Sequence, residues 1–226
     1  MNTQPPEARL AAAAQALGLD LDASQLASLL AYLALISKWN KVYNLTAVRD
    51  PEEMLVQHLF DSLAVIGPLR RHTQGRAVRL LDVGSGAGLP GVVIAVCCPE
   101  IRVDCVDTVG KKAAFIQQAA AQLQLPNLRG AHDRVERLAD RYDVICSRAF
   151  ASLSDFVSWS AHALADDGVW LAMKGKRPDA EIAELPAASE VFHVEQLTVP
   201  ELAAERCIVW MRKRARAQSA TAAARP

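Results

Sequence analysis

One stretch of the chain decides the fold: Leu80-Leu81-Asp82-Val83-Gly84-Ser85-Gly86-Ala87-Gly88-Leu89-Pro90-Gly91. The apolar run from Val78 to Val83 predicts a buried strand. Three glycines at alternate positions follow, and they permit a tight turn where a ligand can lie against bare backbone. Pro90 suits the first turn of a helix, where its missing N–H costs nothing. Strand, glycine turn and helix start together predict a nucleotide-like cofactor site, because a helix N-terminus has free N–H donors.

Two ligand patterns overlap in this turn. Gly86-x-Gly88-x-x-Gly91 fits the dinucleotide fingerprint, which has little specificity by itself. Asp82-x-Gly84-x-Gly86-x-Gly88 fits the loop of S-adenosylmethionine (SAM) methyltransferases. We favour the second pattern, because the Asp82 carboxylate at the strand end can receive the cationic end of the methionine moiety and would repel a pyrophosphate. A glycine-rich turn without a ligand is the remaining alternative.

The composition limits the function classes. A chain of 226 residues, 51% of them hydrophobic, makes one large domain or one domain with an appendage. No apolar run reaches the roughly 18 to 20 residues of a membrane span, and the N-terminus lacks the form of a signal peptide. The five cysteines lack metal-ligand spacing. We therefore expect a reduced, cytoplasmic protein without a metal site or a membrane partner. The net charge of zero argues against nonspecific polyanion binding, although it leaves room for local basic patches.

The periodicity of the apolar residues divides the chain into three parts. Residues 1–77 predict a helical N-terminal extension packed on the core, with helices from Glu7 to Leu17, from about Asp22 to Asn40, and from Asp50 to about Gly67. Residues 78–214 alternate short apolar strands with helices, which predicts a Rossmann-like, doubly wound sheet. Residues 215–226 are rich in alanine and arginine, and we expect a flexible tail there.

The predicted sheet has seven strands and is mainly parallel. The last two strands lack an obvious helix between them, so we expect the last strand to pair in the antiparallel sense at the sheet edge. The predicted strands are Val78–Val83, Arg102–Asp107, Leu128–Ala131, Val144–Ser147, Val169–Met173, Val191–Leu197 and Cys207–Arg212. The predicted core helices are Gly91–Cys98, Lys111–Leu123, Arg134–Leu138, Ser154–Leu164 and Asp179–Leu185.

Candidate binding residues follow the strand ends, because ligands of open α/β sheets bind beyond the carboxyl ends of the strands. Asp107 ends the second strand, where a carboxylate accepts hydrogen bonds from the ribose hydroxyls of SAM or NAD alike. After the third strand, Val135 and Glu136 are candidates for contacting adenine, and an ordinary helix cap is the alternative. Arg148 ends the fourth strand and suits phosphate, carboxylate or guanine recognition. Lys174 places a second cation at the same rim.

The fourth strand end also excludes some acceptors. The segment Cys146-Ser147-Arg148-Ala149-Phe150 contains no Asn-Pro-Pro-aromatic run, which exocyclic-amine methyltransferases use to hold the amine. It contains no Pro-Cys nucleophile, which methylation of pyrimidine carbon five requires. Cys146 falls inside the strand, and we expect it to lie in the core.

Several segments together resemble one family. They are Trp39-Asn40-Lys41-Val42-Tyr43-Asn44-Leu45-Thr46, His58-Leu59-Phe60-Asp61-Ser62, the stretch from Asp82 to Gly91, Ser147-Arg148-Ala149-Phe150-Ala151 and Lys174-Gly175. From about Ala8 to Lys213 the chain is similar to the RsmG (GidB) family of bacterial 16S ribosomal RNA guanine-N7 methyltransferases. The resemblance implies a class I SAM-dependent methyltransferase core with SAM as the methyl donor. It also implies guanine 527 of 16S rRNA as the acceptor, in the small (30S) subunit or its assembly precursor.

The resemblance adds roles to the candidate residues. It implies cofactor contacts from Gly84, Leu89, Val135, Glu136 and Arg148. The glycine motif and the strand ends extend the predicted cofactor set to Asp82, Gly86, Gly88 and Asp107. We expect Arg148 and Lys174 to orient the reactants, with Lys174 anchoring RNA phosphate. We expect Asn44, His58 and Asp61 to contact the cofactor or the guanine, and a purely structural His58 is the alternative.

Three rival functions remain. A SAM methyltransferase for a small carboxylate-bearing metabolite would use Arg148 and Lys174 to hold the carboxylate. An NAD-dependent oxidoreductase would use the overlapping fingerprint, although no Tyr-x-x-x-Lys constellation accompanies it. A noncatalytic ribosome-binding factor would leave the glycine turn unexplained. For the methyltransferase that the resemblance implies, we expect a monomer.

Overall fold

A seven-stranded sheet forms the centre of the computed structural model, which describes residues 4–214. The strands are β1 (Arg79–Val83), β2 (Arg102–Asp107), β3 (Leu128–His132), β4 (Tyr142–Arg148), β5 (Leu164–Lys174), β6 (Ser189–Leu197) and β7 (Arg206–Lys213). Their order is β3-β2-β1-β4-β5-β7-β6. The first five strands are parallel, and β7 is antiparallel to both of its neighbours. The predicted mainly parallel sheet with an antiparallel last strand is confirmed, and the predicted tail, residues 215–226, lies outside the described residues.

The strand order creates a switch point between β1 and β4. The chain runs outward from β1 through β2 to β3 and then returns to pair β4 with the other side of β1. The carboxyl ends of β1 and β4 therefore border a crevice, which is where open α/β sheets bind their ligands.

The N-terminal extension consists of helices on one side of the sheet. They are α1 (Pro6–Ala16), α2 (Ala23–Tyr43), α3 (Pro51–Met54), α4 (Asp61–Leu63) and α5 (Ile66–Thr73), with a π-helical segment, Leu55–Phe60, between α3 and α4. A capping box between Asp22 and Gln25 begins α2, and the Asp50 side chain caps α3. One long helix ending near Gly67 was predicted here, and that prediction is wrong. Pro68 lies in the first turn of α5, where a proline is tolerated.

The core helices complete the layers around the sheet. They are α6 (Gly91–Cys97), α7 (Gly110–Gln122), α8 (Leu153–Ser160) and α9 (Asp179–Ala183), with a short 3-10 turn at Val135–Arg137. The predicted helix Ser154–Leu164 ends earlier, because Leu164 pairs with Tyr142 and already belongs to β5. None of the helices in the described part of the chain is both long and apolar enough to cross a bilayer.

The extension is attached to the core beside the glycine turn. The Tyr32 hydroxyl of α2 is buried and donates a hydrogen bond to the carbonyl oxygen of Ala87, at 2.6 Å. Nearer the start of α2, Gln25 Nε2 donates to the carbonyl oxygen of Val96, at 3.0 Å. Helix α2 therefore begins beside the last turn of α6 and runs along α6 towards the glycine turn. As a result, the C-terminal end of α2 lies at the carboxyl edge of the sheet.

Candidate functional site

Two cavities of about 420 Å³ each lie at this edge of the sheet, and both are lined by Ala149. We call the first the strand-end cavity. Its lining includes Gly84, Asp107, Val135, Glu136, Phe150 and Trp159. We call the second the ion-pair cavity. Its lining includes Gln57, His58, Asp61, Arg148, Lys174 and Arg206. Two reactants placed in the two cavities would meet across the turn after β4.

Asp107 presents a fixed carboxylate to the strand-end cavity. Its Oδ2 accepts a hydrogen bond from the Gly86 amide at 3.0 Å, and its Oδ1 accepts one from the Val109 amide at 2.8 Å. Lys112 Nζ lies 3.8 Å from Oδ2. Each carboxylate oxygen has a second lone pair, so both can still accept a hydroxyl donor. This arrangement fits a vicinal diol such as a ribose.

The three glycines of the turn have different surroundings, although all three have positive φ. Gly84 (φ +66°) lines the strand-end cavity, and a Cβ there would lie 2.3 Å from the Phe150 ring. Gly88 (φ +89°) faces the opposite way, and a Cβ there would lie 2.5 Å from Val92 of α6. Gly88 therefore permits close packing of the turn against α6. Neither Gly86 nor the buried Leu89 lines the strand-end cavity either.

Asp82 is wholly buried and lies beneath the turn, outside the lining of both cavities. Its Oδ2 accepts a hydrogen bond from the Gly91 amide at 2.9 Å, which holds the first turn of α6. Within the described chain Oδ1 has no hydrogen-bond partner of good geometry. Burial raises the pKa of Asp82 to about 7, against the lowering effects of the Gly91 hydrogen bond and the Arg148 charge. The Asp82 side chain points towards the α6 face of β1 and supports the turn from beneath, and its contact with the methionine moiety stays a prediction.

Aromatic rings close the outer side of the strand-end cavity. Phe150 lies over Gly84, and its ring centroid is 5.8 Å from that of Trp159 in an edge contact. Val135 and Glu136, in the 3-10 turn after β3, line the same cavity as predicted by position. Sequence reasoning missed Trp159 altogether and gave Phe150 no role, because the left-handed φ of Ala149 that turns Phe150 inward has no sequence signal.

A buried carboxylate between two arginines organises the ion-pair cavity. Asp61 Oδ2 accepts a hydrogen bond from Arg148 Nη1 at 2.9 Å, and Oδ1 accepts one from Arg206 Nε at 2.8 Å. Arg148 Nη1 also donates to the carbonyl oxygen of Gln57 at 2.8 Å. Two guanidinium groups on one carboxylate leave an excess positive charge at this wall. Sequence reasoning missed Arg206, which lies on β7 far along the chain from both partners.

His58 stands in the same wall as a neutral side chain. Its Nε2 lies 3.0 Å from the Thr46 hydroxyl, and its Nδ1 is buried without a hydrogen-bond partner among residues 4–214. Burial, and after it the charge of Arg148, lowers the pKa of His58 to about 4. The imidazole is therefore uncharged at neutral pH.

Two predicted substrate residues have positions that the sequence did not indicate. Lys174 Nζ donates to both carboxylate oxygens of Glu181, at 3.1 and 2.8 Å, so its charge is already neutralised at the rim of the ion-pair cavity. Asn44 ends α2 in a left-handed conformation and is exposed, and its Oδ1 accepts a hydrogen bond from Arg49 at 3.1 Å. Asn44 lines neither cavity.

The cysteines take no part in either cavity. All five are buried, and burial raises the pKa of each thiol, that of Cys97 to about 12. The thiols are therefore protonated at neutral pH, and Cys146 lies in the core as predicted.

Comparison with known proteins identifies the family. A family model described as rRNA small subunit methyltransferase G (GidB) matches residues 25–209. The chain belongs to this family. A protein of Acidovorax ebreus (strain TPSY) named Ribosomal RNA small subunit methyltransferase G is 67% identical over 207 residues, which cover 88% of this chain and 92% of the relative. A protein of Paracidovorax citrulli (strain AAC00-1) with the same name is 62% identical over 223 residues, covering 94% and 92%.

Solved structures support the same fold. Magnesium protoporphyrin IX methyltransferase from Synechocystis PCC 6803, crystallised with SAM, is similar with a TM-score of 0.58 at 13% identity over 80% of this chain and 97% of that one. TrmN from Thermus thermophilus is similar with a TM-score of 0.55 at 18% identity over 71% of this chain and 53% of that one. At these identities the likeness shows the fold alone. The predicted fold of class I SAM-dependent methyltransferases is confirmed.

The strand-end cavity fits the adenosyl part of SAM. In this cavity Asp107 would supply the acceptors for the ribose hydroxyls, and Val135 with Glu136 would form the wall next to them. Gly84 leaves the turn free of a Cβ where a ligand would approach the backbone. The ring of Phe150 now lies at that position, so a ligand touching Gly84 requires the ring to move aside.

Proposed function

We propose that this protein transfers a methyl group from SAM to N7 of guanine 527 in 16S rRNA of the small ribosomal subunit. The observation that carries the proposal is the meeting of two cavities at Ala149, one suited to a nucleoside and the other lined by arginines. Membership of a family described as rRNA small subunit methyltransferase G supports the choice of acceptor RNA.

The residues divide between the two reactants. Asp107 accepts the ribose hydroxyls, Val135 and Glu136 lie along the adenine, and Gly84 leaves room for the methionine part. SAM supplies, when bound, a methyl carbon made electrophilic by its sulfonium. Arg148 and Arg206 face the ion-pair cavity, where their N–H groups can donate to guanine O6 or to an RNA phosphate.

The acceptor atom sets the demands on the protein. Guanine N7 has an in-plane lone pair and no proton at neutral pH, so it attacks the methyl carbon without a general base. Transfer to N7 would exchange the bond between sulfur and the methyl carbon for one between nitrogen and that carbon, and the residues around the acceptor would have to tolerate the positive charge that the purine gains. Catalysis then consists mainly of positioning, which is worth up to several kcal/mol. The double contact of Arg148 with Asp61 and Gln57 holds one donor in place for this purpose.

The proposal includes a particle and a place of action. The acceptor is the small subunit or its assembly precursor, and the protein acts as a monomer in the cytoplasm. Residues of one chain line both cavities, so the proposed reaction needs no residue from a second copy. Size-exclusion chromatography with light scattering tests this part, and a dimer at working concentration would contradict it.

The decisive experiment maps N7-methylguanine in ribosomal RNA by borohydride–aniline cleavage. RNA from cells lacking this protein is compared with RNA from the same cells carrying wild-type protein or Asp107→Ala. We expect cleavage at guanine 527 with wild-type protein, and strongly reduced cleavage with the variant. Cleavage at another base, or tritiated methyl from SAM in a metabolite fraction in place of the RNA, would overturn the assignment.

A further inference from the structure

Exposed apolar side chains are concentrated beside the strand-end cavity. Val42 and Tyr43, in the last turn of α2, are 71% and 41% exposed, and Val109, just before α7, is 37% exposed. Val109 also lines the strand-end cavity. An exposed apolar patch next to a binding site indicates a contact surface for a partner.

Unpaired lysines surround these apolar residues. Lys38 and Lys41 on α2 and Lys111 on α7 are exposed, and among residues 4–214 none of them forms an ion pair. Two other lysines at this edge of the sheet are paired, since Lys112 faces Asp107 and Lys174 is paired with Glu181, whereas the exposed Lys176 forms no ion pair among residues 4–214. We call Lys38, Lys41, Val42, Tyr43, Val109 and Lys111 together the α2–α7 ledge.

The ledge is held by an aromatic cluster between the two helices. The Trp39 ring centroid lies 5.1 Å from that of Tyr43 and 5.4 Å from that of Phe115 on α7. Lys111 and Phe115 are four residues apart on α7, so they share a side of the helix. The C-terminal turn of α2 and the first turn of α7 therefore form one surface next to the glycine turn, to which Tyr32 anchors α2.

The chemistry of the ledge fits RNA better than protein. Ammonium groups that neutralise phosphates contribute much of the affinity for nucleic acids, and aromatic rings stack on unpaired bases. Lysine is depleted at the centre of protein–protein interfaces, where leaving it unpaired is costly. Because the overall charge of the chain is neutral, attraction for phosphate depends on local groups of unpaired cations such as these three lysines.

We propose that the α2–α7 ledge binds the rRNA segment that flanks the target guanine. This inference rests on the proposed function, and it adds the surface that holds the RNA outside the reaction site. The lysines neutralise phosphates, and Tyr43 stacks on an unpaired base. Contacts remote from the reacting atoms that bind substrate and transition state equally raise affinity without changing kcat.

The test uses small subunits from a strain that lacks the protein, with tritiated SAM as donor. The double variant Lys38→Gln/Lys41→Gln should raise KM for the subunit about tenfold or more, with kcat and the Kd for SAM unchanged. The slope of log affinity against log salt should fall by about 2, because two phosphates are no longer neutralised. The matched control is Arg102→Gln, an exposed basic residue at the start of β2 on the opposite edge of the sheet, and it should leave KM unchanged.

Tyr43 tests the stacking contact separately. Tyr43→Leu should raise KM roughly fivefold or more, whereas Tyr43→Phe, which keeps the ring, should behave as wild type. Melting temperature and Kd for SAM check that Trp39 stays in place. A wild-type KM and salt slope in the lysine variant, or a fall in kcat alone, would contradict RNA binding by the α2–α7 ledge. The proposed function would remain intact. Failure of the wild-type protein to methylate the subunits would instead overturn the proposed function.

Discussion

Asp82 and Asp61 are both buried carboxylates that support a cavity, yet their surroundings differ sharply. Asp82 lies under the strand-end cavity and has a backbone hydrogen bond from Gly91, and among residues 4–214 it has no counter-ion in contact. Asp61 lies in the wall of the ion-pair cavity between Arg148 and Arg206. The strand-end cavity is therefore supported by backbone near in sequence, and the ion-pair cavity by charges that come from distant elements.

This difference has an energetic consequence. A buried charge without a partner is disfavoured, and the pKa of Asp82 is raised accordingly. A buried ion pair keeps its charges, and removing one partner leaves the other uncompensated. The strand-end cavity should thus tolerate neutralisation of its supporting carboxylate, and the ion-pair cavity should not.

The largest expected effect concerns Asp82 and pH. Because burial raises the pKa of Asp82 from 3.8 to about 7, the folded protein retains a proton that the unfolded chain has lost between these values. The free energy of unfolding of the wild type should therefore fall relative to that of Asp82→Asn as pH rises from about 4 to about 7, by on the order of 4 kcal/mol. Urea unfolding of both proteins across this range measures the difference.

The comparison of wild type with Asp82→Asn also controls for His58, another buried group with a shifted pKa in this region. The lowered pKa of His58 makes stability rise with pH between about 4 and the usual value of 6.5, which is the opposite sign. Since both proteins contain His58, its contribution cancels in the difference. Parallel stability curves for wild type and Asp82→Asn would show that Asp82 is charged throughout.

Asp61→Asn should have the next largest effect, at neutral pH. Arg148 and Arg206 lose their shared carboxylate, which should cost about 3 kcal/mol in the free energy of unfolding. Methyl transfer to small subunits should fall about 100-fold or more, because a misplaced Arg148 no longer orients the acceptor. The Kd for SAM should change by less than about twofold, since Asp61 does not line the strand-end cavity.

A surface ion pair gives the control for Asp61. Glu195→Gln removes the partner of the exposed Arg71 side chain and should cost less than about 1 kcal/mol. An equal loss of SAM affinity and methyl transfer in Asp61→Asn would show that the two cavities are not separable in this way.

The same contrast explains how far the sequence predicted the site. Gly84, Asp107 and the Val135–Glu136 turn follow strands directly, so local patterns placed them at the strand-end cavity. Arg206 pairs with Asp61 across 145 residues, and no local pattern reports such a contact. The pairing of Lys174 with Glu181 and the burial of Asp82 also depend on tertiary packing. Sequence patterns predicted the sheet and its order of elements, whereas the direction of individual side chains needed the structure.

A smaller effect is expected at Gly84. In Gly84→Ala the new methyl group would lie 2.3 Å from the Phe150 ring, and the residue would keep a left-handed φ of +66°. SAM affinity should fall about tenfold, because the methyl group occupies the approach to the backbone and forces the Phe150 ring into the space that the ligand would use. In Gly84→Ala/Phe150→Ala the ring is absent, and part of the affinity should return. Calorimetry on the two single variants and the double variant gives the coupling between the sites.

Two different results would contradict the prediction for Gly84. Additive losses in the double variant would mean that Phe150 does not compete with the cofactor for the space over Gly84. Unchanged affinity in Gly84→Ala would mean that the cofactor does not approach this part of the turn.

The smallest effect should be that of pH on the chemical step. With a pKa of about 4, His58 does not change its protonation state near neutral pH. Guanine N7 has no proton to remove, so the reaction does not need a general base. The single-turnover rate constant, at saturating SAM and subunit, should therefore vary less than about twofold between about pH 6 and about pH 8.5. His58→Gln, which can retain the hydrogen bond to Thr46, should show the same flat profile and keep most of the rate. A rate that rises tenfold per pH unit below an inflection near pH 7, and loses that rise in His58→Gln, would instead make His58 a general base. The ion-pair cavity would then provide proton transfer as well as positioning. Asp61 would in that case support a general base in addition to Arg148, and its contrast with Asp82 would no longer be one of positioning alone.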